Sequence, residues 1–191
     1  MPRFTLNDLE FTTLSNETAS RQRIVFDHIK TLNPKRDDEE PVSFAAWVFE
    51  HGYFQHPSTL YKPPHQIYLI WLVGTNQLLD LAGLVPDDRG VAMDEGLAKE
   101  DKYYLGFFGG HNVHPDFRGQ GLGTFMLQRR IESAQGHANA TGTPQALYTF
   151  FVNPTSGRNL ERVGFKKLGN RYIKWSRKDE WLFRLQLDPQ G

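Results

Sequence analysis

The sequence contains no cysteine. This absence excludes disulfide cross-links, zinc sites built from thiolates and a cysteine nucleophile. An excess of charge is also missing, because 22 Lys and Arg residues balance 22 Asp and Glu residues. Without a net field of one sign, we do not expect the protein to bind nucleic acid or an anionic membrane surface.

Long apolar runs are missing as well. The run at Ile67–Val73 is far too short to cross a bilayer, and Met1–Glu10 lacks the apolar segment of a signal peptide. We therefore expect a cytoplasmic protein without a membrane partner. Hydrophobic residues still make up 39% of the sequence, which excludes a disordered chain. The length of 191 residues suits one domain better than two.

Local patterns predict an α/β (α+β) domain, because predicted helices and strands follow one another along the chain. In chain order we expect a strand at Phe11–Leu14, helices at Thr18–Leu32 and Ser43–His51, a hairpin of strands at Ile67–Val73 and Leu78–Val85, a strand at Tyr103–Val113, a helix at Gly119–Gln135, a strand at Ala146–Val152, a short helix at Thr155–Val163, and one or two strands over Phe165–Leu187 that turn near Lys178-Asp179. The inner face of the helix at Gly119–Gln135 is expected to carry Leu122, Met126, Leu127, Ile131 and Ala134.

The segment with the clearest chemistry is Val113–Thr124, which lies between a predicted strand and a predicted helix. Glycines there leave a run of backbone N–H groups at a helix N-terminus, where free donors and the helix dipole favour a phosphate. The segment lacks the Gly-Lys-Ser/Thr of a Walker A loop, and Thr124 stands where a dinucleotide fingerprint needs its third glycine. From the glycines alone, a strand-to-helix turn without a ligand is an equally good interpretation.

Two blocks of this sequence resemble the GNAT superfamily, which transfers an acyl group from acyl-coenzyme A to an amine. Arg118–Gly123 is similar to the family signature (Arg or Gln, x, x, Gly, x, Gly or Ala), and Val113–Pro115 matches the Val-x-Pro that precedes it. Downstream, Asn153–Phe165 resembles the N-x-x-S-x-R-x-L-E-x-x-G-F block of the branch that includes ribosomal-protein N-terminal acetyltransferases. Most of Gln66–Leu187 is covered by the resemblance.

The resemblance implies one domain over residues 1–191. Residues 1–65 would form helices and loops on the acceptor side, and residues 66–187 would form the core that binds acyl-CoA. The implied fold is a mixed, mostly antiparallel central sheet that is splayed between its fourth and fifth strands and flanked by about four helices. Gly109-Gly110 suits the bulge that splays the strands.

The resemblance also implies acetyl-CoA as cosubstrate and no metal. The pantetheine arm would bond to the backbone of His111, Asn112 and Val113 and to the side-chain amide of Asn153, which is equally suited to cap the next helix. Ser156 and Arg158 would reach the same molecule. The pyrophosphate would bind behind Arg118 at the N–H groups of Gly119, Gln120, Gly121, Leu122, Gly123 and Thr124.

Candidate catalytic side chains are fewer. His111 is the first candidate for the base, because an imidazole titrates near neutral pH, although a strand histidine bonded to the backbone is equally probable. His114 lies three residues after His111. Because side chains alternate between the faces of a strand, the two rings would lie on opposite faces and would not form a metal pair. Tyr148 is a poor base, since its reference pKa is about 10, and it would rather shape the acceptor pocket.

The general acid is the weakest part of the resemblance. Many relatives carry a tyrosine seven residues after the asparagine, where this chain has Leu160. Water, or Ser156 acting through water, would then protonate the leaving thiolate. Three interpretations follow: an N-acetyltransferase acting on an amine of a small molecule or a peptide N-terminus, a non-catalytic acyl-CoA-binding domain of the same fold, and a protein that binds another phosphate ligand. A homodimer is compatible with all three.

Overall fold

A computed structural model describes residues 5–31, 66–86, 102–105, 113–151, 154–173 and 178–190. Seven strands form one sheet in the order β1-β2-β3-β4-β5-β7-β6. The strands are β1 (Leu9–Thr13), β2 (Gln66–Leu72), β3 (Leu78–Pro86), β4 (Lys102–Leu105), β5 (Gln145–Phe151), β6 (Lys166–Ile173) and β7 (Lys178–Leu187). This confirms the predicted mixed, mostly antiparallel sheet.

Among the strands that the structure describes, β4 and β5 are the only parallel neighbours. All other neighbours are antiparallel. Parallel strands need a crossover, and here a long helix between them supplies it. The described β4–β5 pairing ends at Tyr104 and Tyr148, whereas β5 continues to Phe151. The predicted bulge at Gly109-Gly110 lies outside the described residues.

Three α-helices occur in the part of the chain that the structure describes. They are α1 (Ala19–Thr31), α2 (Leu122–Thr141) and α3 (Pro154–Arg162). The predicted helix at Ser43–His51 lies outside the described residues. In the described ranges no helix is long and apolar enough to span a membrane.

The bounds of α2 differ from the prediction of Gly119–Gln135. Gly119 and Gly121 both have positive φ, at 75° and 88°, so they precede the helix. Gly136 is accommodated inside it, and α2 continues until Gly142 ends it in a left-handed conformation. The prediction therefore placed both the start and the end of α2 too early in the sequence.

Two strand predictions needed smaller corrections. The first strand is Leu9–Thr13 rather than Phe11–Leu14, because Leu14 begins a short 3-10 turn. Phe165–Leu187 contains two strands, and Lys178-Asp179 belongs to β7 rather than to the turn. The hairpin of β2 and β3 and the end of α3 before Gly164 are confirmed within two residues.

The helices cover the sheet on both faces. Tyr68 of β2 donates a hydrogen bond of 2.6 Å from its hydroxyl to Oγ of Ser133 on α2, so α2 lies on the face that we call the helix face. On the other face, Trp71 Nε1 donates to Glu17 next to the start of α1, at 2.8 Å. The core of the helix face includes Ile70, Leu84, Met126, Leu147, Leu160 and Phe183.

Candidate functional site

The centre of the candidate site is the turn between β4 and α2. Gly119 and Gly121 take left-handed conformations, which expose the surrounding backbone N–H groups as a concave nest for an anion. The first backbone bond of α2 runs from Phe125 N to Gly121 O, at 3.0 Å. Among the described residues, none accepts a hydrogen bond from the N–H groups of 119–124.

The electrostatics of this turn also suit an anion. The first turn of α2 contains no acidic residue, so no carboxylate of that turn neutralises the positive end of the helix dipole. The side-chain Nε2 of Gln120 is buried and has no hydrogen-bond partner among the residues that the structure describes. A buried donor without an acceptor is costly, which makes it a natural partner for a ligand oxygen. These donors fit the diphosphate of coenzyme A.

Arg118 and Val113 hold the entrance of the turn together. The guanidinium Nε of Arg118 donates to the carbonyl oxygen of Val113 at 3.2 Å. Arg118 is exposed, so the rest of its guanidinium reaches solvent beside the nest. Between them, Nδ1 of His114 accepts a hydrogen bond from Asp116 N at 3.3 Å and caps the 3-10 turn Pro115–Phe117.

The other predicted site residues have different surroundings. Ser156 lies on α3 and is half-buried, while Arg158 on the same helix is exposed. Tyr148 is only 2% exposed. It lies opposite Arg184 in the register, with the guanidinium 5.9 Å from its ring. His111, Asn112 and Asn153 lie outside the described residues, so their roles stay predictions.

Leu160 occupies the place where many relatives carry a tyrosine. It is 3% exposed and belongs to the core of the helix face. A buried aliphatic side chain has no proton to give, so α3 supplies no acid at this position.

Sequence reasoning missed two features of this region. His28 on α1 is half-buried, and His114 acts on it electrostatically, an interaction between distant segments that no local pattern indicates. Arg130 on α2 is buried although it is charged, while Ile131, which was expected on the inner face, is only partly buried. The spacing Met126, Arg130, Ala134, Ala138 places Arg130 on the buried face, and this signal was available in the sequence.

The position of His28 leads to a prediction about pH. Burial lowers the pKa of His28, and the charge of His114 lowers it further. Below the ordinary histidine pKa of about 6.5 the unfolded chain therefore binds more protons than the folded chain. The free energy of unfolding should fall as the pH drops through this range and level off below the lowered pKa.

The variant His28→Gln should lose less free energy of unfolding than the wild type as the pH drops. The expected difference is modest because one group is involved. Urea unfolding at several pH values between about 7.5 and 5 measures it. His137→Gln, on the distant half of α2, is the matched control. An unchanged pH dependence in His28→Gln would contradict the assignment.

The described residues contain no group of three or more His, Asp or Glu side chains that could hold a metal ion. Comparison with known proteins gives a family. The family model "Acetyltransferase (GNAT) family" matches residues 31–165. No curated protein matches the sequence significantly.

Solved structures share the fold. The ribosomal-protein-S18-alanine N-acetyltransferase from Escherichia coli has a TM-score of 0.56 at 14% identity, and 96% of each chain is covered. A chain of the NatC complex bound to Gag peptide and CoA has a TM-score of 0.59 at 20% identity, with 94% of this chain and 99% of that chain covered. A GNAT-family acetyltransferase from Streptococcus pneumoniae has a TM-score of 0.55 at 13% identity, with 94% and 99% covered. Since the family model matches well over half of the residues, the chain belongs to the GNAT family of acetyltransferases.

Proposed function

We propose that this protein transfers an acetyl group from acetyl-CoA to a primary amine of a small molecule or a peptide N-terminus, by direct attack in a ternary complex. The observation that carries the proposal is the run of N–H groups at 119–124 that has no acceptor among the described residues. A helix N-terminus with these donors and no first-turn carboxylate is suited to a diphosphate.

The residues divide the work of binding. The N–H groups of 119–124 and the amide of Gln120 would hold the diphosphate, and Arg118 would add positive charge at its edge. Ser156 and Arg158 on α3 would contact the same molecule from the next helix. The backbone of His111, Asn112 and Val113 and the side chain of Asn153 would hold the pantetheine arm.

The chemistry needs a proton acceptor and a carbonyl-oxygen donor. When bound, acetyl-CoA supplies the thioester that the amine attacks. His111 would take the proton of the ammonium, and a backbone N–H near Asn112 or Val113 would donate to the carbonyl oxygen. Because Leu160 is buried and apolar, the leaving thiolate would take its proton from water or through Ser156. A thiol with a reference pKa of about 8.5 leaves readily enough for this.

A second candidate function is a non-catalytic acyl-CoA-binding domain of the same fold. The burial of Leu160, which is only 3% exposed, favours it, since a core leucine stands where many relatives carry the tyrosine that serves as acid. Both candidates predict CoA binding, and only the first predicts turnover.

Release of free thiol from acetyl-CoA, measured with a panel of primary amines and peptides with free N-termini, tests the proposal. We expect acetyl-CoA to release thiol only when at least one of the amines is present. We also expect calorimetry to show that the protein binds acetyl-CoA. Binding without turnover for any amine would favour the second candidate. The absence of CoA binding would contradict both.

A further inference from the structure

The chain that enters the nest is fixed to strand β3. Backbone N of His114 donates to the carbonyl oxygen of Leu79 at 2.7 Å. Leu79 is the extra residue of an irregularity in the β2–β3 pairing, because Ile70 pairs with Asp80 and Trp71 pairs with Leu78. The bulge and this bond fix one end of the nest to the start of β3.

The helix that leaves the nest is fixed to the same strand. Arg130 is 2% exposed, and its Nη1 donates to the carbonyl oxygen of Gly83 at 3.1 Å. Asp80 is fully buried close by, and its charge favours the guanidinium. Burial lowers the pKa of Arg130 to about 10, with the carboxylate of Asp80 opposing the shift, so the side chain stays charged at neutral pH.

The two attachments have matching spacing. From Leu79 to Gly83 a strand rises about 13 Å at roughly 3.3 Å per residue. From Leu122 to Arg130 a helix rises about 12 Å at 1.5 Å per residue. The segment of α2 from Leu122 to Arg130 is thus nearly as long as the segment of β3 beside it. Almost one helical turn beyond Arg130, the hydroxyl of Tyr68 on β2 donates a hydrogen bond of 2.6 Å to Ser133.

A buried ion pair is a weak source of stability, because desolvation of both charges offsets their attraction. Well-packed apolar residues at the same places often give equal or greater stability. The buried guanidinium does have one property that apolar packing lacks: its hydrogen bond to the carbonyl oxygen of Gly83 fixes how far α2 is shifted along β3. This property matters where the N-terminus of a helix must lie at one fixed position along the neighbouring strand.

We propose that Arg130 and Asp80 are positioning residues for the cosubstrate, which set the height of α2 along β3 and so hold the N–H groups of 119–124 ready for the diphosphate. The inference rests on the proposed function, because it takes that nest as the coenzyme A site. It adds two residues that are not expected to touch the ligand.

The test uses the double variant Asp80→Val/Arg130→Met, which removes both charges together and leaves no buried ion without a partner. Arg129→Met is the matched control. Arg129 is adjacent to Arg130 in the sequence, but its side chain is 44% exposed and pairs with Glu132 on the surface. We expect the double variant to keep its melting temperature within a few degrees. Its Kd for CoA and KM for acetyl-CoA should rise about tenfold, with kcat and the KM for the amine within about twofold.

Arg130→Lys provides a second measurement if the double variant fails to fold. It keeps the charge but loses the planar fork that reaches Gly83, and CoA affinity should fall several-fold in the folded protein. Wild-type affinity in a folded double variant, or in Arg130→Lys when the double variant does not fold, overturns the positioning role. A wild-type protein that does not bind CoA overturns the proposed function and this inference together.

Discussion

Replacing Gly121 with glutamate should weaken CoA binding by about 30-fold or more relative to replacement with glutamine. The two variants share the strain of a side chain at φ 88°, and apart from the adjoining residues no described part of the chain lies within 4 Å of the added Cβ. They differ by one negative charge beside the proposed diphosphate. Unit charges about 4 Å apart interact with about 4 kcal/mol at an effective dielectric constant of about 20, and half of this repulsion corresponds to about 30-fold.

Calorimetric titration of CoA into both variants measures the difference, and thermal unfolding checks that both are folded. The difference should shrink at high salt, since the partly exposed charge is screened. Equal affinities for the glutamate and glutamine variants at low salt would show that no anion binds at this turn. In that case the glycines serve only the local backbone.

The second large effect concerns the contact between α3 and the sheet. Phe183 of β7 is 2% exposed, and its ring lies where a Cβ on Gly157 would come within 3.3 Å. Phe183→Ala should reduce the free energy of unfolding by about 4 kcal/mol, because it removes a buried ring and leaves a cavity. For a chain of this size that lowers the melting temperature by roughly 8 to 16 °C.

Trp181→Ala is the matched control for this prediction. Trp181 lies two residues away on the same face of β7, but it is 41% exposed and contacts Lys167, whose Nζ lies 3.3 Å from the ring centroid. Its loss should cost about 1 kcal/mol or less. Gly157→Leu in the Phe183→Ala background should recover part of the stability, because the new side chain points at the cavity. Equal losses for Phe183→Ala and Trp181→Ala would contradict this packing.

The sequence predicted the parts of the fold that rest on local patterns. The hairpin of β2 and β3 was predicted because short runs of β-forming residues flank the turn formers at Gly74–Gln77. The glycines before α2 predicted a turn that could hold an anion, which stays a prediction. The helix start was placed three residues early, since a sequence does not show that Gly119 and Gly121 take positive φ.

Features that depend on distant contacts were not predicted. Arg130 was left off the inner face because a charged residue is rarely buried, and only the fold reveals Asp80 beside it. Likewise, the electrostatic interaction of His28 with His114 joins segments more than 80 residues apart. The candidate site was therefore predicted as a motif, while the residues that hold the motif in place were not.

The open nest has a consequence for the lifetime of the protein. The donors at 119–124 converge only in the folded chain, so a diphosphate ligand binds the folded form and not the unfolded one. A ligand present at 100 times its Kd then adds about 2.7 kcal/mol to the free energy of unfolding. Proteases degrade the unfolded form, so under the proposed function a cell depleted of acetyl-CoA and CoA would also hold less of this enzyme.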